Sequence, residues 1–137
     1  MNRDGSHVMR TADIKSNAET GYKDQNSSIH LLEAFTELYK VWPDALVKVR
    51  LQEMLELIRD KIVTQKGYLQ LFFTYDWKPV SFHDSSDAVI MKNKNLDHVS
   101  FGHDVETAYL MQEASETLYG KADLKHWPLV RRWLIMP

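Results

Sequence analysis

An all-α fold with one small β-hairpin is predicted by three features of the sequence. Apolar residues recur at helical spacing over residues 27–42, 44–62 and 104–119. Alternation with a period of two is confined to residues 69–77, and Pro43, Gly67 and Gly120 stand where helices would stop. Amphipathic helices joined by one aromatic hairpin bury their stripes only against one another, helix on helix.

Residues 1–25 are polar, rich in Asn, Asp, Ser and Gly, and without sustained period, so they are predicted to be an irregular lead-in. The first helix, over 27–42, has Leu31, Phe35, Leu38 and Trp42 as its apolar stripe and is stopped by Pro43. Asp44 can cap the second, whose stripe is Val47, Leu51, Met54, Ile58 and Ile62, with Gly67 a natural stop beyond it. The short connection at Pro43 and Asp44 makes the two antiparallel. Leu69, Leu71, Phe73, Tyr75 and Trp77 alternate with Gln70, Thr74 and Asp76, which predicts a strand. After Pro79 a second strand over 80–83 would return as a hairpin, and residues 84–97 read as a long polar loop. The third helix, over 104–119, carries Val105, Ala108, Tyr109 and Gln112 on one side and ends at Gly120.

With 137 residues, 44% of them hydrophobic, and a formal net charge of −2, the chain is one globular unit at most. Lys and Arg are interspersed with Asp and Glu, so there is no basic stripe for nucleic acid. The absence of cysteine excludes a disulfide framework, a thiolate nucleophile and any Cys-based metal site. No apolar run approaches the roughly 18 residues of a membrane helix, and a cytoplasmic location is expected.

Asn26, His30 and Glu33 lie at i, i+4 and i+7, stacked on one face at the start of the first helix. Such a face is either solvated or lines a cavity, and spacing alone favours the solvated reading. His103 and Glu106, at i and i+3 directly after Gly102, set an imidazole beside a carboxylate that can hold its tautomer. Asp104 and Glu106 are equally ordinary helix-start residues favoured by the dipole. His83, His98 and His103 with Asp84, Asp97 and Asp104 match no zinc spacing, so no metal is expected. Phe73, Tyr75 and Trp77 have faces that stack on sugars, yet an aromatic strand is more often plain core.

Three stretches taken together carry a resemblance: Asn26-Ser-Ser-Ile-His-Leu-Leu-Glu-Ala-Phe35, Leu71-Phe-Phe-Thr-Tyr-Asp-Trp-Lys-Pro79 and Ser100-Phe-Gly-His-Asp-Val-Glu-Thr-Ala108. In order and context they resemble the N-acylglucosamine/cellobiose 2-epimerase family, over residues 20–124. The resemblance implies a partial (α/α)6 barrel, spanning 26–124, whose inner helices line a sugar pocket. It also implies removal of the C2 proton of a ring-opened aldose from one face and its return to the other, without metal or nucleotide. His103 matches one of two acid/base histidines, Glu106 its nearby carboxylate, and Asn26 with His30 a sugar-binding pair. The second catalytic histidine lies outside this chain. Gly102-His103-Asp104 looks more like the cellobiose/mannobiose branch, which favours a disaccharide.

The family's barrels are much longer, so the chain is expected to be an internal fragment, inactive alone and self-associating through uncovered helices. The competing reading is a non-catalytic helical interaction module. Residues 125–137 are expected to be a frame-shifted, non-native tail. As written, the stretch from His126 has two tryptophans, two prolines and no polar face. The frame starting at the third base of codon 125 permits Thr-Leu-Ala-Ile-Gly-Lys-Lys-Met-Val-Asp-His-Ala, which has helical apolar spacing.

Overall fold

The first helix starts where a carboxylate can cap it. In a computed structural model, which describes residues 9–12, 19–121 and 128–133, Asp24 has an extended backbone and its side chain accepts from the Ser27 amide at 2.8 Å. From that cap α1 runs Gln25–Val41, and the Trp42 N–H closes it on the Leu38 carbonyl at 2.8 Å. Asp44 caps α2 (Ala45–Leu57) by accepting from the Leu46 amide at 2.8 Å, and one π turn over Ile58–Ile62 extends it. Val47, Leu51, Met54, Ile58 and Ile62 are all buried, the stripe predicted for this helix.

The stripe of α1 is corrected. Ile29, Leu32 and Thr36 are buried, the Thr36 hydroxyl donating to the Leu32 carbonyl at 2.8 Å, whereas Leu38 and Trp42 are exposed and Leu31 and Phe35 only partly covered. The cause is packing on two sides, since α1 touches both α2 and the helix over Phe101–Tyr119. The helix α4 (Phe101–Tyr119) begins before its predicted start, at the Ser100 cap, and ends as predicted on Gly120 in the left-handed region at φ 70°. Its buried residues are Asp104, Thr107, Ala108, Leu110, Met111, Ala114, Ser115 and Leu118, while Val105 and Tyr109 are exposed. Two alanines among the buried residues let α1, α2 and α5 (Pro128–Trp133) approach closely.

The lead-in is corrected as well. β1 (Met9–Ala12) pairs antiparallel with β2 (Glu19–Asp24), Met9 opposite Tyr22 and Ala12 opposite Glu19. β2 pairs in turn with β3 (Phe72–Phe73), Lys23 opposite Phe73 and Asp24 opposite Phe72, in a sheet of order β1-β2-β3. Ladder hydrogen bonds use backbone groups alone, so a polar strand leaves no hydrophobic period to read. The predicted hairpin shrinks to a bridge between Phe73 and Pro79 and a Val80 amide bond to the Phe72 carbonyl at 2.9 Å. At its turn Trp77 has a φ of 65°, and its ring meets Phe73 edge-on at 5.4 Å. The Nζ of Lys23 lies 4.1 Å from the Trp77 ring centroid and 5.1 Å from that of Tyr75, on a residue only 3% exposed.

Within the stretch read as a loop, Asp87–Lys92 forms the short helix α3. Asp97 clips the ends of that stretch together, accepting from the Ser81 hydroxyl at 2.7 Å and the Phe82 amide at 2.6 Å. At the other end of the chain α5 packs on α4 with Leu129 and Val130 buried, and Arg132 donates to the Lys66 carbonyl at 3.0 Å. The rest of the stretch read as frame-shifted, residues 125–127 and 134–137, lies outside the described residues. Among the described residues no helix is long and apolar enough to cross a membrane.

Candidate active site

One short segment fixes the starts of two helices. The Gln25 amide at the head of α1 donates to the Leu71 carbonyl at 2.9 Å, and the Leu69 amide donates to Asp104 Oδ1 in the first turn of α4 at 2.9 Å. Residues 69–71 therefore hold both helix N-termini side by side. Across the gap Gln25 Nε2 meets His103 Nδ1 at 2.9 Å. Around this contact is a cleft of about 150 Å³, lined by Asp24, Gln25, Asn26, Leu71, Phe72, Asn95, His98 and His103.

The structure thus brings Asn26 and His103 together and leaves His30 and Glu106 outside the cleft lining. His30 Nδ1 pairs with Glu33 at 3.1 Å on the exposed side of α1. Glu106 follows His103 by one turn, but the hydrogen-bond partner of the ring is Gln25. Sequence reasoning missed Gln25 and Asn95, and set His98 beside His103 only in a metal grouping. The Nδ1 of His98 faces the Lys94 carbonyl at 2.8 Å, so that ring donates at Nδ1 and keeps its lone pair on Nε2. Among the described residues no group of three His, Asp or Glu side chains is placed to hold a metal.

A larger cavity of about 600 Å³ adjoins this cleft, sharing Leu71 and His98 and reaching Tyr68, Gln70, Ser81 and Asp97.

Asp104, read as an ordinary helix-start residue, stands in the first turn of α4 and is fully buried, with Oδ2 lacking a hydrogen-bond partner among the described residues. Burial raises its carboxyl above the usual carboxylate range, opposed by the Leu69 hydrogen bond and by the charges of Arg132 and His103. A raised folded-state value means that the contribution to stability is full below the unfolded value, about pH 3.9, and lost as pH rises through the folded one. Asp104→Asn keeps the acceptor for Leu69 and removes the buried charge. It is expected to unfold at higher temperature than the parent at neutral pH, with the difference vanishing in acid. Asp104→Ala, which orphans the Leu69 N–H, is expected to cost about 1–3 kcal/mol. Thermal melts across pH check both, and equal melting of parent and Asn variant at neutral pH contradicts the burial cost.

Comparison with known proteins places these features in a family context. The family model for N-acylglucosamine 2-epimerase (GlcNAc 2-epimerase) matches residues 2–126. The chain is 34% identical over 97 residues to a cellobiose 2-epimerase of Bacteroides fragilis, covering 70% of this chain and 21% of that protein. It is 33% identical over 120 residues to a cellobiose 2-epimerase of Ruminococcus albus, covering 85% of this chain and 27% of the relative. The solved cellobiose 2-epimerase of Bacillus thermoamylovorans superposes with a TM-score of 0.64 at 24% identity, over 86% of this chain and 29% of that one. A sugar epimerase from a ruminal bacterium does so with a TM-score of 0.62 at 31% identity, over 87% and 27%. The chain thus spans between a fifth and a third of the length of these proteins, and its helices are a section of an (α/α)6 barrel.

Proposed function

Because the chain belongs to the N-acylglucosamine 2-epimerase family, we propose that it is a section of a cofactor-free sugar 2-epimerase acting at C2 of an aldose. In this reading His103 moves the C2 proton as base or acid, with Glu106 as the carboxylate behind it on the same helix. Asn26 and His30, from the neighbouring helix, bind the sugar. The observation that carries the reading is the convergence of Asn26 and His103 on one cleft from two helix starts held by residues 69–71. A proton beside a carbonyl is only weakly acidic, so a positioned base and a donor to the forming enediolate oxygen are both required. Imidazole and carboxamide are suitable groups for those roles. The named relatives are cellobiose 2-epimerases, which supports a disaccharide substrate.

Titration of the labelled chain with cellobiose or mannobiose is expected to move the NMR signals of Asn26 and His103, and to lose that response in His103→Asn. Saturating sugar with no change at either residue removes the sugar-site reading and leaves the helical interaction module.

Self-association is proposed from a different surface. Val41 is 82% exposed, Leu46 62% and Trp42 58%, a run of apolar side chains at the α1–α2 corner. Phe101, Val105 and Tyr109 form a second exposed line along α4. A symmetric dimer or larger assembly at tens of micromolar, roughly the range of weak association, is the expected light-scattering result, and a stable monomer contradicts it. We further propose that the reading frame changes near codon 125, which the end of the family match at residue 126 supports. The DNA downstream of that codon tests this: a stop within a few shifted codons rules it out.

A further inference from the structure

Gln25 contacts His103 but has no place in the roles above. It is 3% exposed, its Nε2 lies 2.9 Å from His103 Nδ1, and its Oε1 is buried without a hydrogen-bond partner among the described residues. An amide NH2 only donates, so in this orientation Nδ1 must be the acceptor, and a neutral His103 carries its proton on Nε2. An imidazole in that form has an N–H to give at Nε2 and no lone pair there to take a proton.

The carboxamide has nearly the same shape turned through half a circle. Turned, Oε1 faces Nδ1 and accepts from an Nδ1–H, which moves the lone pair of the ring to Nε2. The half-turn gives the unpartnered oxygen an Nδ1–H to accept from. A carboxylate in that place would accept only, and a hydrocarbon would do neither.

We propose that Gln25 is a positioning residue whose amide orientation selects the tautomer of His103, leaving Nε2 a base when Oε1 faces Nδ1–H and a hydrogen-bond donor when the NH2 faces Nδ1. The inference rests on the reading of His103 as an acid/base group, and it supplies what a reaction running in both directions asks of such a group. When Nε2 takes the C2 proton, the ring becomes an imidazolium with both nitrogens protonated and the electron pair stays on the enediolate. Oε1 is then the atom that must face Nδ1–H. When Nε2 returns the proton, the ring keeps its other proton on Nδ1 and Oε1 stays against it.

The tautomer is read directly from the nitrogen shifts of His103 in long-range proton–nitrogen spectra of the whole chain, at a pH where imidazoles are neutral. No sugar and no turnover are needed, so this result is separate from that of the sugar titration. The parent is expected to show shifts averaged between the two tautomers. Gln25→Glu is expected to move the ratio toward Nδ1–H by on the order of tenfold, the effect of one hydrogen bond to a charged acceptor. Gln25→Met should return it to the ratio of a free histidine peptide. If the Glu variant fails to fold by thermal melt, the Met variant decides alone. Identical His103 shifts in the parent and Met variant overturn the proposal, as does a folded Glu variant that leaves the ratio unmoved.

Discussion

Incubated in deuterated water with cellobiose, mannobiose or N-acetylmannosamine, the chain alone is expected to form no epimer above background. Inversion at C2 needs a proton taken from one face and delivered to the other, and each positioned acid or base contributes roughly 10²–10⁴ in rate. In the function proposed above, His103 supplies one of the two groups. The resemblance puts the second catalytic histidine beyond these residues. The chain covers 21% of one relative and 27% of another. Deuterium incorporation at C2 followed by NMR is the measurement. Turnover above background would mean that the second group lies within the chain, and His98, on the same cleft, would then be the first residue to replace.

Gly67→Ala is expected to be the most damaging single methyl added to the fold. Gly67 has a φ of 77°, and a Cβ there would stand 2.7 Å from the Pro128 carbonyl oxygen and 3.1 Å from its carbon. The left-handed backbone costs about 1–2 kcal/mol for an L residue. The clash is with backbone, so relief requires α5 to leave, uncovering Leu129 and Val130, which are 0% and 3% exposed. Each such side chain is worth about 1.5–3 kcal/mol buried. The total loss expected is about 4 kcal/mol or more, checked by denaturant unfolding. A variant within 1 kcal/mol of the parent, roughly the scale of an ordinary surface change, would show that α5 does not press on Gly67.

The helices were legible because their signals are local. Pro43, Asp44 and Gly120 mark ends by backbone chemistry that acts within a turn, and the structure uses each for that purpose. Which face is buried was legible only for α2, whose stripe is continuous. In α1 and α4 the exposed lines Leu38–Trp42 and Val105–Tyr109 are as apolar as the buried ones, and only the position of neighbouring helices separates them. β1 and β2 gave no signal because their pairing is made by main-chain groups. At the site, motif spacing found Asn26 and His103, which share a helix-start geometry. Gln25 and Asn95 were missed because nothing local ties them to His103, and His98 entered only in a metal grouping. Gln25 is 78 residues away in sequence and reaches it only through the segment that carries both helices. A polar residue at the first position of a buried helix start, next to a motif Asn, was the one available hint.

The lysine of β2, packed under Trp77 and Tyr75 at 3% exposure, gives the chain a built-in label of its own state. Amine-reactive reagents modify side chains that can leave the surface, and Lys78, with 77% of its side chain exposed, is open to them at all times. Lys23 can react only after β2 parts from β3 and the indole lifts away. The ratio of acylation at these two amines therefore reports how often the sheet opens, and with it how often Gln25, two residues further along the chain, is released from Leu71.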